Sequence, residues 1–119
     1  METGKRCLIV EVYQKDFVDG SLGFEKAVTL DHGIAEKIRL YHSRGDDVMF
    51  TLDTHNDDYP TTQEGKNLPV PHCIAGTPGH RLFGETAVCR QKQDMVFFKP
   101  SFGSMEMLCY LRTHPYQEI

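Results

Sequence analysis

Apolar residues gather in three short runs along this 119-residue chain, each bounded by charged or turn-forming positions. The first, "RCLIVEV" (Arg6 to Val12), is apolar with one interruption at Glu11 and predicts a largely buried strand. The second, "DVMFTLD" (Asp47 to Asp53), and the third, "DMVFFKP" (Asp94 to Pro100), predict two more, the third stopped by its proline. Between the first two the period changes. Ile34, Ile38 and Tyr41 fall at i, i+4 and i+7, with Glu36, Lys37 and Arg39 on the other side. This is an amphipathic helix, with Asp31 the candidate N-cap and Gly45 closing it after Arg44. "SMEMLCYLRTH" (Ser104 to His114) predicts a last helix with Met107, Leu108 and Leu111 inward. "DFVDGSLGF" reads as a loop turning at Gly20 and Gly23.

Strands alternating with helices imply βαβ units and a parallel sheet, in a single domain spanning residues 1–119. In open sheets of this class, ligands bind beyond the carboxyl ends of the strands, here Val12, Asp53 and Lys99. From Thr54 to Gly79 there is little periodicity but there are four prolines. So long a loop in so small a domain is unusual unless it wraps a site.

Composition narrows the field. With 39% hydrophobic and 25% charged residues the chain is an ordinary globular one, and a net charge of -4 offers no basic face for nucleic acid or anionic lipid. No apolar run approaches the roughly 18 residues that span a bilayer, and no signal-peptide apolar region follows the start. The four cysteines (Cys7, Cys73, Cys89, Cys109) lack CxxC spacing and read as reduced thiols, so the expected compartment is the cytoplasm.

The candidate chemistry sits at the strand ends. In "DTH", Asp53 and His55 are i and i+2, so in extended chain a carboxylate and an imidazole face one point. His72 follows 17 residues after His55 in "LPVPHCIAGTPG", with Glu64 between them. Two histidines with one or two carboxylates suit Zn, Fe or Mn; the plainer reading is a turn-capping Asp53 and exposed imidazoles. Lys99, after "MVFF", is either a snorkelling edge lysine or a partly desolvated ammonium beside a carboxylate or thiolate. Phe17 is a core aromatic or a wall for a flat ring. No cysteine is well placed as a nucleophile: Cys7 and Cys89 fall toward the wrong end of the sheet, Cys73 is beside His72, and Cys109 lies in the last helix, so all four read as structural.

Together these segments resemble the isochorismatase-like cysteine hydrolases, in particular their nicotinamidase (pyrazinamidase) branch. "YQKDFVDGSLG" is similar to that family's "D-x-Q-N-D-F-V-D-G-S-L", and "TLDTH", "QEGKNLPVPHCIAGTPG" and "FFKPSFGS" match its metal-site and lysine segments in order. The resemblance runs from about Cys7 to Leu111. It implies a Rossmann-like three-layer α/β/α fold with a mainly parallel sheet in strand order 3-2-1-4-5-6, whose C-terminal strands are missing here. It also implies an Asp-Lys-Cys triad and one divalent metal. Carried over, the metal ligands are Asp53, His55, His72 and Glu64, the triad lysine is Lys99, and Phe17 lines the pocket for a nicotinamide-like ring.

Two departures stand out. Counting back from "DF", the triad aspartate falls on Val12; Glu11 is one residue away and would need a local bulge to serve. The segment that carries the family's nucleophilic cysteine has no counterpart before Ile119. The expectation is a nicotinamidase-related amidohydrolase without turnover as written, forming a homo-oligomer or pairing with a segment that supplies the missing strands. The alternatives are a metal- or ligand-binding module on the same fold, and a metal-only hydrolase, ranked last because Glu64 and Asp57 are the only general bases in view.

Overall fold

The three apolar runs pair side by side. The computed structural model describes residues 5–56, 58–62, 65–66, 68, 70, 72–99, 105–116 and 119. Among these, β1 (Cys7–Glu11), β2 (Asp47–Asp53) and β3 (Met95–Lys99) form a parallel sheet in the order β1-β2-β3. Strand β2 is central, and its run from Val48 to Leu52 is buried, as a strand covered on both faces requires.

The register assigns each side chain to a face, since residues directly opposite one another share it. Cys7 lies opposite Asp47, and Met49 opposite Met95. Leu8, Val10, Val48, Phe50 and Val96 share one face, which packs Ile38 and Tyr41 of α3 (Asp31–Ser43). Cys7, Ile9, Met49 and Phe97 share the other, packed by Met107, Tyr110 and Leu111 of α5 (Met105–Thr113) and by Tyr116. Helices on both faces make the three layers. Full burial of a side chain such as Phe50 or Ile38 contributes about 1.5–3 kcal/mol. Leu108 is a correction: it is 41% exposed, because Met107, Tyr110 and Leu111 form the i, i+3, i+4 stripe and Leu108 turns aside from it. Cys109 is exposed as well.

The glycine-rich stretch after β1 contains two short helices, α1 (Lys15–Val18) and α2 (Glu25–Thr29). At four and five residues they are too short for a hydrophobic period to show. A further helix, α4 (Gly84–Cys89), packs on α3 and explains a second correction. Asp31 does not N-cap α3; Leu30 precedes it in helical conformation, with no side-chain cap. The Asp31 carboxylate instead caps α4, accepting the Glu85 N–H (2.8 Å), the Thr86 N–H (2.9 Å) and the Thr86 hydroxyl (2.8 Å). Gly84, at φ 52°, has no room for a Cβ against that carboxylate. Asp31→Ala is expected to cost about 1–2 kcal/mol, read as a fall of several degrees in the thermal midpoint followed by circular dichroism.

Strand β1 is one of the two outer strands of the described sheet. The Val12 N–H donates to the Thr51 carbonyl and the Arg6 carbonyl accepts from the Asp47 N–H. Even-numbered residues therefore bond to β2, and the backbone groups of Cys7, Ile9 and Glu11 face away from it. An apolar groove flanks this edge between Leu8, Val10 and Ile34, and a more polar one lies between Cys7, Glu11, Lys37 and Ile119. Among the described residues no helix is long and apolar enough to cross a membrane.

Candidate metal and ligand site

Asp53 and Lys99 end neighbouring strands as direct partners in the register, so their side chains leave the same face at the same height. The Lys99 Nζ lies 3.3 Å from the Asp53 Oδ1, and each side chain is only 14% exposed. Lys99 is thus paired with a carboxylate on the neighbouring strand end.

Beyond Asp53 the chain stays extended for two residues and recruits the long loop. His55 pairs in parallel with Ile74, its N–H donating to the Cys73 carbonyl (3.0 Å) and its carbonyl accepting from the Ala75 N–H (2.8 Å). This pairing brings His72 over the strand end. Asp53, His55 and His72 then place one ligand atom each within 4.8 Å of one another. Both histidines are buried, at 7% and 3% exposure, so the reading of merely exposed imidazoles does not hold. The fourth expected ligand, Glu64, lies outside the described residues.

Aromatic rings wall the imidazoles. Tyr59, buried, has its ring 4.6 Å from that of His55 and 5.1 Å from that of His72, and its hydroxyl donates to the Leu68 carbonyl. Phe17, from α1, stands edge-on to His72 at 5.3 Å. Phe17 thus stands against one of the three grouped donors.

The donor set fits a divalent metal. The His72 Nδ1 lies 2.8 Å from the Val70 carbonyl, which can only accept, so Nδ1 carries the proton and Nε2 presents its lone pair. A tetrahedral ion with ligand bonds of about 2.0–2.2 Å holds its donors roughly 3.3 Å apart, so these three need to draw in by less than about 2 Å. Two imidazoles and one carboxylate suit Zn, Fe or Mn.

The structure revises the end of β1. Glu11 is the register partner of Thr51 and so shares the face of Asp53 and Lys99, whereas Val12 breaks the strand with φ 46°. A β-branched residue in the left-handed region is strained. The break acts as the local kink that the sequence comparison required: Tyr13, after it, joins the same buried cluster as Val10. A carboxylate therefore does stand at this strand end, one residue earlier than the motif count places it.

The cysteines stay apart from this chemistry. Cys73 is fully buried, and burial, with the Asp53 and Asp16 carboxylates nearby, pushes its thiol up to about 12. Cys7 sits at the opposite end of the sheet, and burial and Asp47 push it to about 12 as well. Cys89 ends α4 and Cys109 is exposed on α5, and all four are free thiols.

Two further site-building residues, Gln14 and Asp16, fall within the "YQKDFVDGSLG" motif, yet the pattern alone assigns them no contact. Asp16 accepts the Cys73 N–H at 2.8 Å, holding the His72 loop in place; Cys73 itself is at φ 51°. Gln14, fully buried, bonds to both backbone groups of Asp53. Both lie in the stretch between β1 and the glycine turns, where side-chain partners distant in sequence leave no periodic trace.

Comparison with known proteins places this geometry. No family model matches the chain. An uncharacterized isochorismatase family protein, PncA of Bacillus subtilis, is 30% identical over 109 residues, which is 89% of this chain and 57% of that protein. The chain is thus similar to isochorismatase family proteins over most of its length. It spans little more than half the length of that curated relative. The crystal structure of the nicotinamidase/pyrazinamidase PncA from Bacillus subtilis superposes with a TM-score of 0.82 at 24% identity, covering 97% of this chain and 71% of that one. The pyrazinamidase of Pyrococcus horikoshii in complex with zinc gives 0.75 at 20%, covering 97% and 70%. At such identities these two speak for the fold alone, and the isochorismatase-like α/β fold is the one expected from the motifs.

Proposed function

We propose that this chain carries the metal-and-lysine part of a nicotinamidase-type amidohydrolase site, takes a small aromatic amide such as nicotinamide there, and does not turn it over by itself. The carrying observation is the convergence of Asp53, His55, His72 and Lys99 on one strand end, walled by Phe17 and Tyr59. The relatives named as nicotinamidases and pyrazinamidases, one of them in complex with zinc, support the reading.

Asp53, His55 and His72 would hold the divalent ion, with Glu64 as the further expected ligand. When bound, the ion supplies a Lewis acid that helps bind and polarise the ring. Lys99 balances the charge of Asp53 inside a site where water is scarce, which keeps the two strand ends together. Phe17 and Tyr59 exclude water and offer apolar faces to a flat ring. Acyl transfer further needs a thiolate, and none of the four cysteines provides one: Cys73, the cysteine beside the site, is protonated at neutral pH. The same arrangement serves a module that binds the amide without hydrolysis. The free thiols fit the cytoplasm, and the outer edge of β1 is where a second copy, or a segment supplying further strands, would associate.

Incubating the metal-loaded chain with nicotinamide should release ammonia no faster than the buffer control, while calorimetry detects binding. Ammonia release that disappears on alkylating Cys73 would overturn the reading and make Cys73 the nucleophile. Absence of binding would leave a site that holds metal alone.

A further inference from the structure

We infer that Gln14 is the positioning residue of the metal site, acting through the backbone of Asp53; the inference rests on the metal reading above. The β1–β2 register ends at Glu11 and Thr51, and the main chain leaves the sheet at Val12. Odd-numbered residues of β2 direct their backbone groups toward β1, as the Asp47 N–H and the Thr51 carbonyl do. Asp53 is the next odd residue that would pair there, and β1 has no peptide left to meet it.

The Gln14 side chain takes that place. Its Oε1 accepts the Asp53 N–H at 2.8 Å and its Nε2 donates to the Asp53 carbonyl at 2.9 Å. A primary amide has the donor and acceptor of a peptide group, so it extends the ladder by one step. The second Nε2 hydrogen goes to the His80 carbonyl at 2.8 Å, tying in the segment that follows the His72 loop. Gln14 is fully buried, and these three bonds satisfy its Oε1 and both amide hydrogens.

The strain at Val12 fits this role. A left-handed β-branched residue persists only where its surroundings over-determine it. The Val12 N–H is held by Thr51, its carbonyl by the Gln14 N–H, and the Gln14 side chain by Asp53 and His80. The kink turns the main chain away so that the amide, rather than another residue of the strand, reaches Asp53. The orientation of the ligand carboxylate is thereby set from behind by a residue outside the ligand set.

The test is a cobalt(II) titration of the full chain, read by visible absorption. Gln14→Met keeps the length and removes the amide; its cobalt affinity is expected to fall about 10- to 100-fold, the range seen for residues that orient ligands, with shifted absorption bands. Thr86→Val, at a buried site that bonds Asp31, serves as the control for general loosening. It should leave affinity and bands as in wild type at a temperature where circular dichroism shows both variants folded. If Gln14→Met does not fold, Gln14→Glu, which keeps the acceptor for the Asp53 N–H and gives up the donors, carries the comparison. Affinity and bands within twofold of wild type in the Gln14 variant, or an equal loss in Thr86→Val, would overturn the inference. A wild-type chain that takes up no cobalt would instead remove the metal reading, and the inference with it.

Discussion

His72→Ala is expected to purify with far less divalent metal than wild type. Three donor-type side chains from two segments lie within 4.8 Å of one another, and His72 is the one that comes from the long loop. Without it, Asp53 and His55 remain as two donors on one strand end, and the Val70 carbonyl that orients the imidazole has nothing to orient. Direct ligand loss should exceed the roughly 10- to 100-fold cost of disturbing an outer-shell partner. Elemental analysis after gentle purification should find close to one ion per wild-type chain and a small fraction of that in His72→Ala. A second consequence follows by mass action. Metal that binds only the folded state, present at a hundred times its dissociation constant, adds about 2.7 kcal/mol, so a chelator should lower the thermal midpoint of wild type and leave that of His72→Ala nearly unmoved. Equal metal content in the two proteins would sink the assignment.

Light scattering over a concentration series will show the chain associating, with a mass above that of one chain at the upper end. The outer edge of β1 presents the backbone groups of Cys7, Ile9 and Glu11, beside an apolar groove between Leu8, Val10 and Ile34. Such an edge pairs with another strand or aggregates unless something covers it. Ile9→Pro is the discriminating variant. The Ile9 N–H points outward, while the bonds to β2 run through Leu8 and Val10, so proline at this position blocks edge pairing and spares the inner ladder. The variant should shift the series toward single chains. A wild type that stays a cooperatively unfolding monomer at high concentration would show that the edge needs no partner.

The two predictions differ in how much of their basis is written locally. Asp53 and His55 face one point because extended chain repeats every two residues, and that is readable from "DTH" alone. Lys99 stands beside Asp53 because two apolar runs pair in one register, which a pattern suggests but does not count out. The β1 end shows the limit. Matching motifs in sequence places Val12 at the strand end, yet a single left-handed residue returns that place to Glu11. A backbone kink has no compositional signature when the residue at it is a valine. Asp31 misleads for a related reason: its position before a helix suits a cap, but the helix it caps is 53 residues further on, at Gly84.

The sequence by itself determined the three strands, the long amphipathic helix, the parallel α/β class, and the presence of donor-type side chains near the strand ends. Each of these depends on local period or on residue types at short spacing. The tertiary structure alone decided which donors meet, that His72 crosses to His55 on a loop pinned by Asp16, that Tyr59 walls them, and that a buried Gln14 continues the sheet behind Asp53. These are contacts between residues tens of positions apart, made by single side chains. Their energy depends on distance and direction in space, for which a linear pattern carries no term.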